Sequence, residues 1–312
     1  MKTILVTGGA GFIGSNFIIH MLEKYGQEIR IINLDALTYA GDLSNLSEVI
    51  DYSNYSFFHG SINDDSILES VFRNKIDYVV NFASESHVDN SIENPVIFYE
   101  TNVLGTVNLL KFAYKYKVKR FYQISTDEVY GSCDNGCPFN ESSPLNPSSP
   151  YSASKASADL AVMAFAKTFG MDVVISRSSN NFGPRQHTEK LIPKVIEMIS
   201  RDNKIPIYGE GKNTRSWLHV MDHVRAIERV LFHGKRGEIY NIGSEFEVEN
   251  ISLVKMILDI ADKSHDLIEF VEDRPGHDLG YSMRFEKIKE LGWSQEIGLE
   301  EGLRELIKKQ MA

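Results

Sequence analysis

The amino-acid sequence predicts an α/β protein whose core is a doubly wound parallel β-sheet. Three observations support this prediction. An apolar run at Lys2–Thr7 passes through a glycine-rich turn directly into a helical pattern. Further short apolar runs alternate with helical patterns as far as about residue 178. Strands and helices that alternate at this spacing need crossover connections, which give a parallel sheet with helices on both faces.

The predicted strands and helices follow one another in a regular order. The strands are Lys2–Thr7, Ile29–Leu34, Tyr55–Phe58, Asp77–Phe82, Arg120–Ser125 and Asp172–Arg177. One helix follows the glycine-rich turn, and the others lie near Asp64–Arg73, Val96–Lys115 and Tyr151–Phe169. Ligands of such sheets bind at the carboxyl ends of the strands. We therefore expect one crevice to collect the residues at these ends, namely Gly8, Asp35, Ala83, Ser125 and Arg177.

Beyond Ser178 the pattern changes, which predicts a smaller α/β lobe that folds over the crevice. Its predicted elements are a loop at 180–184, a helix that opens at Glu189–Pro193, a strand at Ile205–Tyr208, a helix at Leu253–Ala261 and two helices after Asp278. We predict that residues 1–178, with a returning segment at about 212–243, form the sheet domain. Residues 179–312 would then form mainly the smaller lobe.

The turn Gly8–Gly14 predicts a dinucleotide-binding site of the Rossmann type. Gly8 makes the tight turn, Gly11 lets a pyrophosphate approach the backbone, and Gly14 lets the helix pack closely on the strand. Amide groups at the N-terminus of the following helix suit phosphate groups. Asp35 stands about twenty residues further on, where a carboxylate binds a ribose hydroxyl and repels a 2′-phosphate. The pattern favours NAD over NADP, although glycine turns and acidic loop residues also occur for steric or solvation reasons alone.

Residues 125–128 read Ser-Thr-Asp-Glu directly after the fifth predicted strand. Tyr151 and Lys155 share one face of a helix, where the ammonium group can lower the pKa of the phenol. Such a pair can take the proton from an alcohol that is being oxidised. Oxidation of an alcohol does not require Asp127 and Glu128 as well. Elimination of water does require a further acid and a further base, which these two residues could supply. Like charges can hold the two carboxyls in different protonation states. The alternatives are solvated loop acids and an ordinary helix start after Pro150.

The composition is typical of a globular enzyme, with 312 residues, 42% hydrophobic and 24% charged. The net charge of −10 argues against binding to nucleic acid or to anionic membranes. The first apolar run ends at Gly8, too early for a signal peptide, and no run approaches the roughly 18 residues of a membrane span. We therefore predict a cytoplasmic protein.

Two pairs of residues could suggest metal binding, but the sequence favours other roles. We expect Cys133 and Cys137 to be free thiols, with a small disulfide or half a metal site as the alternatives. His219 and His223 have the spacing of a zinc pair. The sequence shows no third metal ligand near them. We therefore expect both histidines to be packed in the interior or exposed on the surface, with no metal bound.

Motifs along nearly the whole chain resemble those of the extended short-chain dehydrogenase/reductase superfamily and, within it, the nucleotide-sugar 4,6-dehydratases. The Gly8–Gly14 turn with Ser125, Tyr151 and Lys155 resembles the superfamily. The dehydratase motifs are DALTYAG at 35–41, ESHVD at 85–89, STDEVYG at 125–131, YSASKAS at 151–157, SNNFG at 179–183, EKLIP at 189–193, WLHV at 217–220 after Arg215, and DRPGHD at 273–278. STDEVYG is the most specific of them, because epimerases and decarboxylases of the superfamily typically lack the adjacent Asp-Glu pair.

The resemblance implies an NAD-dependent hydro-lyase that acts on a nucleoside-diphosphate hexose, foremost dTDP-glucose. It would oxidise C4, eliminate water across C5 and C6, and return the hydride to C6, which gives a 4-keto-6-deoxy sugar. Tyr151 with Lys155 would act at O4, and Thr126 would hydrogen-bond O4. Glu128 would take the proton from C5, and Asp127 would protonate the leaving C6 hydroxyl.

The other expected site residues form two groups. The expected cofactor-binding residues, besides Tyr151 and Lys155, are Gly8, Gly11, Phe12, Ile13, Gly14, Asp35, Ala36, Leu37, Thr38, Ser61, Ile62, Phe82, Ala83, Ser84, Ser86, Thr101, Ser125, Ser178 and Asn180. The expected substrate-binding residues are His87, Thr126, Asn180, Glu189, Lys190, Leu191, Pro206, Ile207, Tyr208, Arg215, Asn250, Arg274 and His277. Lys190, Arg215 and Arg274 would bind the diphosphate, because cations and above all the planar Arg fork suit phosphate oxygens.

Several positions depart from the family pattern and leave the nucleotide and the hexose open. Ser61, Ser84 and Asn90 stand where Asp, Ala and Arg are usual, and Gln186–Thr188 replaces an aromatic residue and a proline. Leu279 and Gly280 stand where an Arg pair is frequent. A UDP-sugar, including an N-acetylated one, or a GDP- or CDP-linked hexose is therefore an alternative substrate.

Two functions of other kinds remain as alternatives. A nucleotide-sugar 4-epimerase or decarboxylase would use the same fold, but the Asp127–Glu128 pair disfavours it. A sensor that binds NAD(H) and a protein partner would need no catalysis, and the intact Ser125, Tyr151 and Lys155 disfavour it.

The helices predicted at 96–115 and 151–169 have apolar residues on more than one face. These residues are Phe98, Tyr99, Leu109, Phe112, Leu160, Met163 and Phe165. A helix that is apolar all round is buried on both sides. One side would face the sheet and the other a second copy of the chain. We therefore predict a homodimer with a four-helix contact, which the family resemblance also implies.

Overall fold

Twelve strands and eleven α-helices are found in the part of the chain that the computed structural model describes, residues 1–133, 138–273 and 280–311. The strands are β1 (Lys2–Thr7), β2 (Ile29–Asp35), β3 (Tyr55–His59), β4 (Tyr78–Asn81), β5 (Arg120–Thr126), β6 (Val173–Ser178), β7 (Asn180–Phe182), β8 (Ile205–Tyr208), β9 (Thr214–His219), β10 (Ile239–Ile242), β11 (Glu247–Glu249) and β12 (Ile268–Val271). The helices are α1 (Phe12–Tyr25), α2 (Asp65–Phe72), α3 (Val88–Glu93), α4 (Pro95–Phe98), α5 (Thr106–Lys115), α6 (Pro150–Phe169), α7 (Leu191–Ser200), α8 (Val220–His233), α9 (Asn250–Ile260), α10 (Glu286–Lys289) and α11 (Leu299–Met311).

The largest sheet contains seven parallel strands in the order β10-β6-β5-β4-β1-β2-β3. Thr7 at the end of β1 pairs with Leu34 of β2 on one side and with Asn81 of β4 on the other. The carboxyl ends of the central strands therefore coincide at one edge. The strand order reverses direction next to β1, which is where such sheets bind ligands. This arrangement confirms the predicted α/β fold.

Helices cover both faces of the large sheet. Ile4 and Val6 of β1 belong to an apolar cluster with residues of α1 and α8. Leu5 belongs to the cluster on the other face, with residues of α2, α5 and α6. This alternation follows from the two-residue period of a strand. Each fully buried aliphatic side chain of this kind stabilises the fold by about 1.5–3 kcal/mol.

The rest of the chain forms two smaller sheets. One has the order β11-β9-β7, and the other pairs β12 with β8. Helices α7, α9 and α11 share one apolar cluster around these strands. The sequence did not predict α8 or strands β9 to β12. These strands are hard to recognise because they are short and mix polar with apolar residues. Of this part, β10 joins the large sheet beside β6 and α8 packs in the α1 cluster. The division into two lobes at residue 178 stays a prediction.

Two predicted elements differ in detail. The single helix predicted at Val96–Lys115 contains a π-helical segment, Tyr99–Gly105, between α4 and α5. Asn102 lies in the π-helical segment and makes two hydrogen bonds with the backbone of Glu85. Its Oδ1 accepts from the N–H of Glu85 at 2.8 Å, and its Nδ2 donates to the C=O of Glu85 at 3.1 Å. Hydrophobic spacing over so few residues cannot distinguish a π turn from an α turn. Residues 180–182, predicted as loop, form β7 because β9 lies beside them.

Among the described helices, none has the length and apolar character needed to span a membrane.

Candidate active site

In the glycine turn after β1, contacts within the protein explain why glycine is needed at Gly8 and Gly14 but not at Gly11. Gly8 has a φ of +70°, and a Cβ at Gly14 would lie 2.4 Å from the carbonyl oxygen of Gly8. Both positions therefore need glycine for the turn and for the helix packing. Gly11 has an extended backbone, and the nearest atom to its Cβ would be 3.4 Å away. Gly11 thus leaves an open surface beside the N-terminus of α1, whose first turn has neither an acidic residue nor a side-chain cap.

Asp35 is held rigidly at the end of β2. Its Oδ2 accepts a hydrogen bond from the backbone N–H of Ala10, and its Oδ1 accepts one from that of Leu37, each at 2.8 Å. A Cβ at Gly41 would lie 2.9 Å from Oδ1, so the following loop packs closely on the carboxylate. Each carboxylate oxygen can accept a further bond. Asp35 can therefore bind a hydroxyl group without being reoriented.

A first cleft of about 350 Å³ runs along the carboxyl ends of the large sheet. All the residues predicted to bind the cofactor line it except Leu37, whose backbone orients Asp35. A contact of Leu37 with the cofactor stays a prediction. Sequence reasoning missed neighbouring positions in the same loops, among them Ala40, Gly41, Gly60 and Ser179. These residues carry small side chains and no chemical signal.

Arg177 does not line this cleft, so the prediction that placed it in the crevice is wrong. Its side chain is 3% exposed, and its Nε donates to Oδ2 of Asp159 at 2.9 Å. The guanidinium lies 4.8 Å from the ring centre of Tyr130. Strand alternation explains the error, because it turns Arg177 away from the side on which Ser178 reaches the cleft.

Tyr151 and Lys155 both line the cleft from α6 and are both buried. The ammonium of Lys155 donates to the backbone carbonyl of Ile124 at 2.7 Å. Burial lowers the pKa of Lys155 to about 8. Burial and then the charge of Glu128 raise the pKa of Tyr151, while a hydrogen bond with Thr126 opposes the rise. Lys155 is not among the main influences on this pKa, so the expectation that it stabilises the phenolate stays a prediction.

Asp127 and Glu128 begin a short 3₁₀ turn, Asp127–Tyr130, at the end of β5. The hydroxyl of Thr126 accepts from the N–H of Glu128 at 3.3 Å and donates to Oδ1 of Asp127 at 3.2 Å. Burial, and after it the charge of Glu128, raises the pKa of Asp127 to about 7. Asp127 is therefore about half protonated at pH 7, and burial contributes more to the raised pKa than the neighbouring charge does.

A second cleft of about 700 Å³ meets the first one. Both volumes are in the range of ligand sites. Glu128, Asn180, Glu189 and Lys190 are among the residues that line both clefts. The other predicted substrate-binding residues in the second cleft are His87, Leu191, Pro206, Ile207, Tyr208, Arg215 and Asn250. Thr126 lines the first cleft. Arg274 and His277 lie outside the described residues.

Sequence reasoning missed several long side chains in the second cleft. They include Gln186, Lys194, Arg201, Trp217 and Tyr281. Strand alternation could have indicated Trp217, because it stands two residues after Arg215 on β9. The guanidinium of Arg215 lies 4.7 Å from the ring centre of Tyr281. No sequence motif announced that pairing.

Two predictions outside the clefts concern metal-like residue types. His219 and His223 are buried, as one of the two expected readings had it. His219 accepts from the N–H of Met221 at 3.3 Å, and Nδ1 of His223 lies 2.9 Å from Oδ1 of Asn181. Burial lowers the pKa of His223 to about 3, so it is neutral. Cys137 lies outside the described residues.

The family model described as GDP-mannose 4,6 dehydratase matches residues 5–306. The chain belongs to this family.

Individual relatives are similar to the chain over nearly its whole length. The low-salt glycan biosynthesis protein Agl12 of Haloferax volcanii is 47% identical over 96% of this chain and 96% of its own. The dTDP-glucose 4,6-dehydratase of Streptomyces niveus is 44% identical over 98% of this chain and 91% of its own. The structure of DesIV, the dTDP-glucose 4,6-dehydratase of Streptomyces venezuelae with NAD and a second ligand bound, superimposes with a TM-score of 0.95 at 45% identity. It covers 98% of this chain and 96% of its own. These similarities confirm the resemblance read from the motifs.

Proposed function

We propose that this protein uses NAD to dehydrate a nucleoside-diphosphate hexose, foremost dTDP-glucose, to the 4-keto-6-deoxy sugar. One observation carries the proposal. Glu128 lines both clefts, and Asp127, whose pKa is raised to about 7, lines the first cleft with Tyr151 and Lys155. An acid and a base additional to the Tyr–Lys pair thus stand where a bound cofactor and a bound sugar would meet. Simple alcohol oxidation would leave them without a task.

The first cleft fits NAD. Gly11 leaves an open surface that a side chain would fill, beside uncapped amide groups of α1 that suit a pyrophosphate. Asp35 presents a fixed carboxylate for a ribose hydroxyl. When bound, NAD supplies the acceptor for the hydride of C4 and the donor for its return to C6. The NAD in the DesIV structure supports the same assignment.

The protein's own groups would handle the protons. Tyr151 would take the proton of O4, with the charge of Lys155 stabilising the phenolate. The ketone at C4 makes the hydrogen at C5 acidic, and Glu128 would remove it. Asp127, whose pKa burial raises to about 7, would donate its proton to the leaving C6 hydroxyl. Thr126, which bonds Asp127, would hold O4. The two clefts would also exclude water from the ketone.

The second cleft suits the nucleoside diphosphate. Lys190 and Arg215 line it and can bind phosphate oxygens, with Asn250 as a neutral partner. The ammonium of Lys190 donates to the carbonyl of Ser86 at 3.0 Å, and both residues line both clefts. The relatives named for dTDP-glucose support that substrate, whereas the Agl12 relative keeps another nucleotide sugar open.

A direct assay tests the proposed function. The purified protein is incubated without added cofactor with dTDP-glucose, UDP-glucose, UDP-N-acetylglucosamine, and GDP- and CDP-hexoses. We expect a product that is lighter by one water molecule and that absorbs ultraviolet light in alkali, formed fastest from dTDP-glucose. A C4 epimer would favour the epimerase. Failure to convert any sugar by protein that carries NAD would favour the sensor.

We also propose a homodimer through neighbouring helices of the large domain. Phe98, Leu109 and Phe112 are buried within the protomer, so they cannot contribute to a contact. Tyr99 and Leu160 remain 41% and 62% exposed on the π-helical segment and on α6. Val96 on α4 and Leu104 on the π-helical segment are also exposed. Exposed apolar side chains gathered on adjacent helices are typical of a protein contact.

Light scattering at low protein concentration tests the dimer. We expect a dimer for the wild-type protein and a monomer after Leu104→Asp with Leu160→Asp. Phe270→Asp is the matched control, because Phe270 is 59% exposed on β12, away from these helices. A monomeric wild-type protein would contradict the proposal. The cytoplasmic location stays a prediction.

A further inference from the structure

Asp159 is a buried carboxyl group to which the proposed reaction gives no role. It follows Tyr151 and Lys155 at successive four-residue steps along α6, so the three side chains lie on one face of the helix. Its side chain is 1% exposed. A charged group is almost never buried to this extent without a partner.

The ion pair that holds Asp159 uses only half of its carboxylate. Nε of Arg177 donates to Oδ2 at 2.9 Å, whereas Oδ1 is buried with no hydrogen-bond partner among the described residues. A second Arg–Asp pair shows the usual geometry. Arg120 binds both oxygens of Asp172, at 2.9 and 3.1 Å. A buried acceptor without a partner costs about 1–3 kcal/mol, so the free oxygen of Asp159 needs an explanation.

Three polar groups influence the charge of Asp159. Burial raises the pKa of Asp159, whereas Arg177 on β6, the Ser125 hydroxyl on β5 and Lys155 on α6 all lower it. Oγ of Ser125 is also buried, and it too has no hydrogen-bond partner among the described residues. Arg177 keeps its proton, and its ion pair with Asp159 at 2.9 Å favours the carboxylate and opposes the rise in pKa that burial causes. In return, the charge of Asp159 opposes the fall that burial imposes on the pKa of Lys155.

Arg177 is itself fixed from its far side. Its guanidinium lies over the ring of Tyr130, whose hydroxyl donates to Oδ1 of Asn241 at 2.8 Å. Tyr130 and Asn241 are both buried. The position of Arg177, and with it that of Asp159, is therefore set by contacts that do not involve the cleft.

We propose that Asp159 is a positioning residue for the Tyr151–Lys155 pair: anchored by Arg177, its half-free carboxylate keeps Lys155 in the ammonium form. It would not touch the substrate. Its effect on the reaction rests on the proposed function, but its electrostatic effect on Lys155 does not.

The pKa of Lys155 tests the electrostatic effect directly. In full-length protein with ¹⁵N-labelled lysine, the Nζ signal of Lys155 is assigned by its loss in Lys155→Met and is followed with pH. Asp159→Asn should lower this pKa by about one unit or more, as expected when a nearby opposite charge is removed. Asp172→Asn, in the other Arg–Asp pair, should leave it unchanged. A folded Asp159→Asn protein with an unmoved Lys155 would overturn the proposal.

Two measurements guard against misfolding, because Asp159→Asn leaves Arg177 as a buried cation without a partner. The double variant Asp159→Asn with Arg177→Gln removes both charges and should still lower the pKa of Lys155. In the wild-type protein, the ¹³Cγ signal of Asp159 should shift with the same midpoint as Nζ of Lys155. If the ¹³Cγ signal of the wild-type protein did not change as Lys155 titrates, the proposal would be contradicted by a measurement that needs no substitution.

The rate of dehydration supplies the second half of the test. If Lys155 must stay protonated, Asp159→Asn should move the alkaline limb of the kcat profile to lower pH by the shift seen for Nζ. The other titratable groups of the first cleft are the same in both proteins, namely Asp35, Glu85, Asp127, Glu128, Tyr151, His187, Glu189 and Lys190. A wild-type protein that dehydrates no sugar refutes the proposed function and leaves the titration result standing. Dehydration with an unmoved Lys155 refutes this inference alone.

Discussion

The two clefts of this protein are lined by different kinds of residue. The first cleft is walled by strand ends, glycines and small side chains, with a Cβ at Gly8 or Gly14 excluded by backbone atoms. The second is walled by long side chains such as Lys194, Arg201 and Arg215. The comparison teaches that the fold itself dictates the cofactor cleft, whereas individual side chains dictate the substrate cleft. The nucleotide or the hexose can therefore change within a family without disturbing the sheet.

Two glycines of the first cleft offer the largest expected effects. Gly14→Ala places a methyl group 2.4 Å from the carbonyl of Gly8, so it should destabilise the fold by about 1–3 kcal/mol or more. Gly11→Ala finds its nearest protein atom at 3.4 Å. It should lose most of the bound NAD, and its melting temperature should be close to that of the NAD-free wild type. Calorimetry and the NAD content of the purified protein measure the two effects.

Gly298→Ala is the control for both glycines, since its new methyl group would meet nothing closer than 4.0 Å. It should change neither stability nor NAD content. If Gly11→Ala kept its full NAD content, the open surface beside α1 would not be the pyrophosphate site. The contrast between the two glycines would then fail.

Asp127→Asn should stabilise the protein at alkaline pH. The folded-state pKa of Asp127 is raised from 3.8 to about 7, so the folded state binds this proton more tightly than the unfolded state does. Stability from this group is therefore full below about pH 4 and falls as the pH rises to about 7, with a ceiling of ~4 kcal/mol. Urea unfolding should show the variant to be more stable than the wild type at about pH 8 and equal to it at about pH 4. An equal difference at both pH values would contradict a buried, protonated Asp127.

Arg215→Ala should weaken binding of the nucleotide sugar without affecting the cofactor. Bonds to charged groups contribute about 1.5–3 kcal/mol, which corresponds to roughly 10–100-fold in KM. The NAD content should stay unchanged, because Arg215 lines only the second cleft. Lys212→Ala is the matched control, since that side chain is 71% exposed nearby on the chain. A loss of NAD in Arg215→Ala would show that the two clefts are not independent.

The difference between the clefts also explains how far the sequence could predict them. Gly8, Gly14 and Asp35 follow from the geometry of a strand–turn–helix unit, so their positions could be inferred from spacing alone. Trp217 and Tyr281 reach the second cleft through contacts between segments far apart in the chain, which no local pattern encodes. Arg177 was misplaced because a strand end fixes the backbone position but not the side to which the residue points. The pKa of Tyr151 could not be inferred either, because it depends on burial and on acids from another element.

Single-turnover kinetics of Glu128→Gln test the central claim most directly, namely that Asp127 and Glu128 serve elimination and the Tyr151–Lys155 pair serves oxidation. The NAD-loaded variant is mixed with dTDP-glucose, and Glu210→Gln, whose side chain is 76% exposed, is the control. We expect the near-ultraviolet absorbance of reduced nicotinamide to rise and persist, with water loss slowed about 10²–10⁴-fold. Wild-type dehydration by Glu128→Gln would contradict the account.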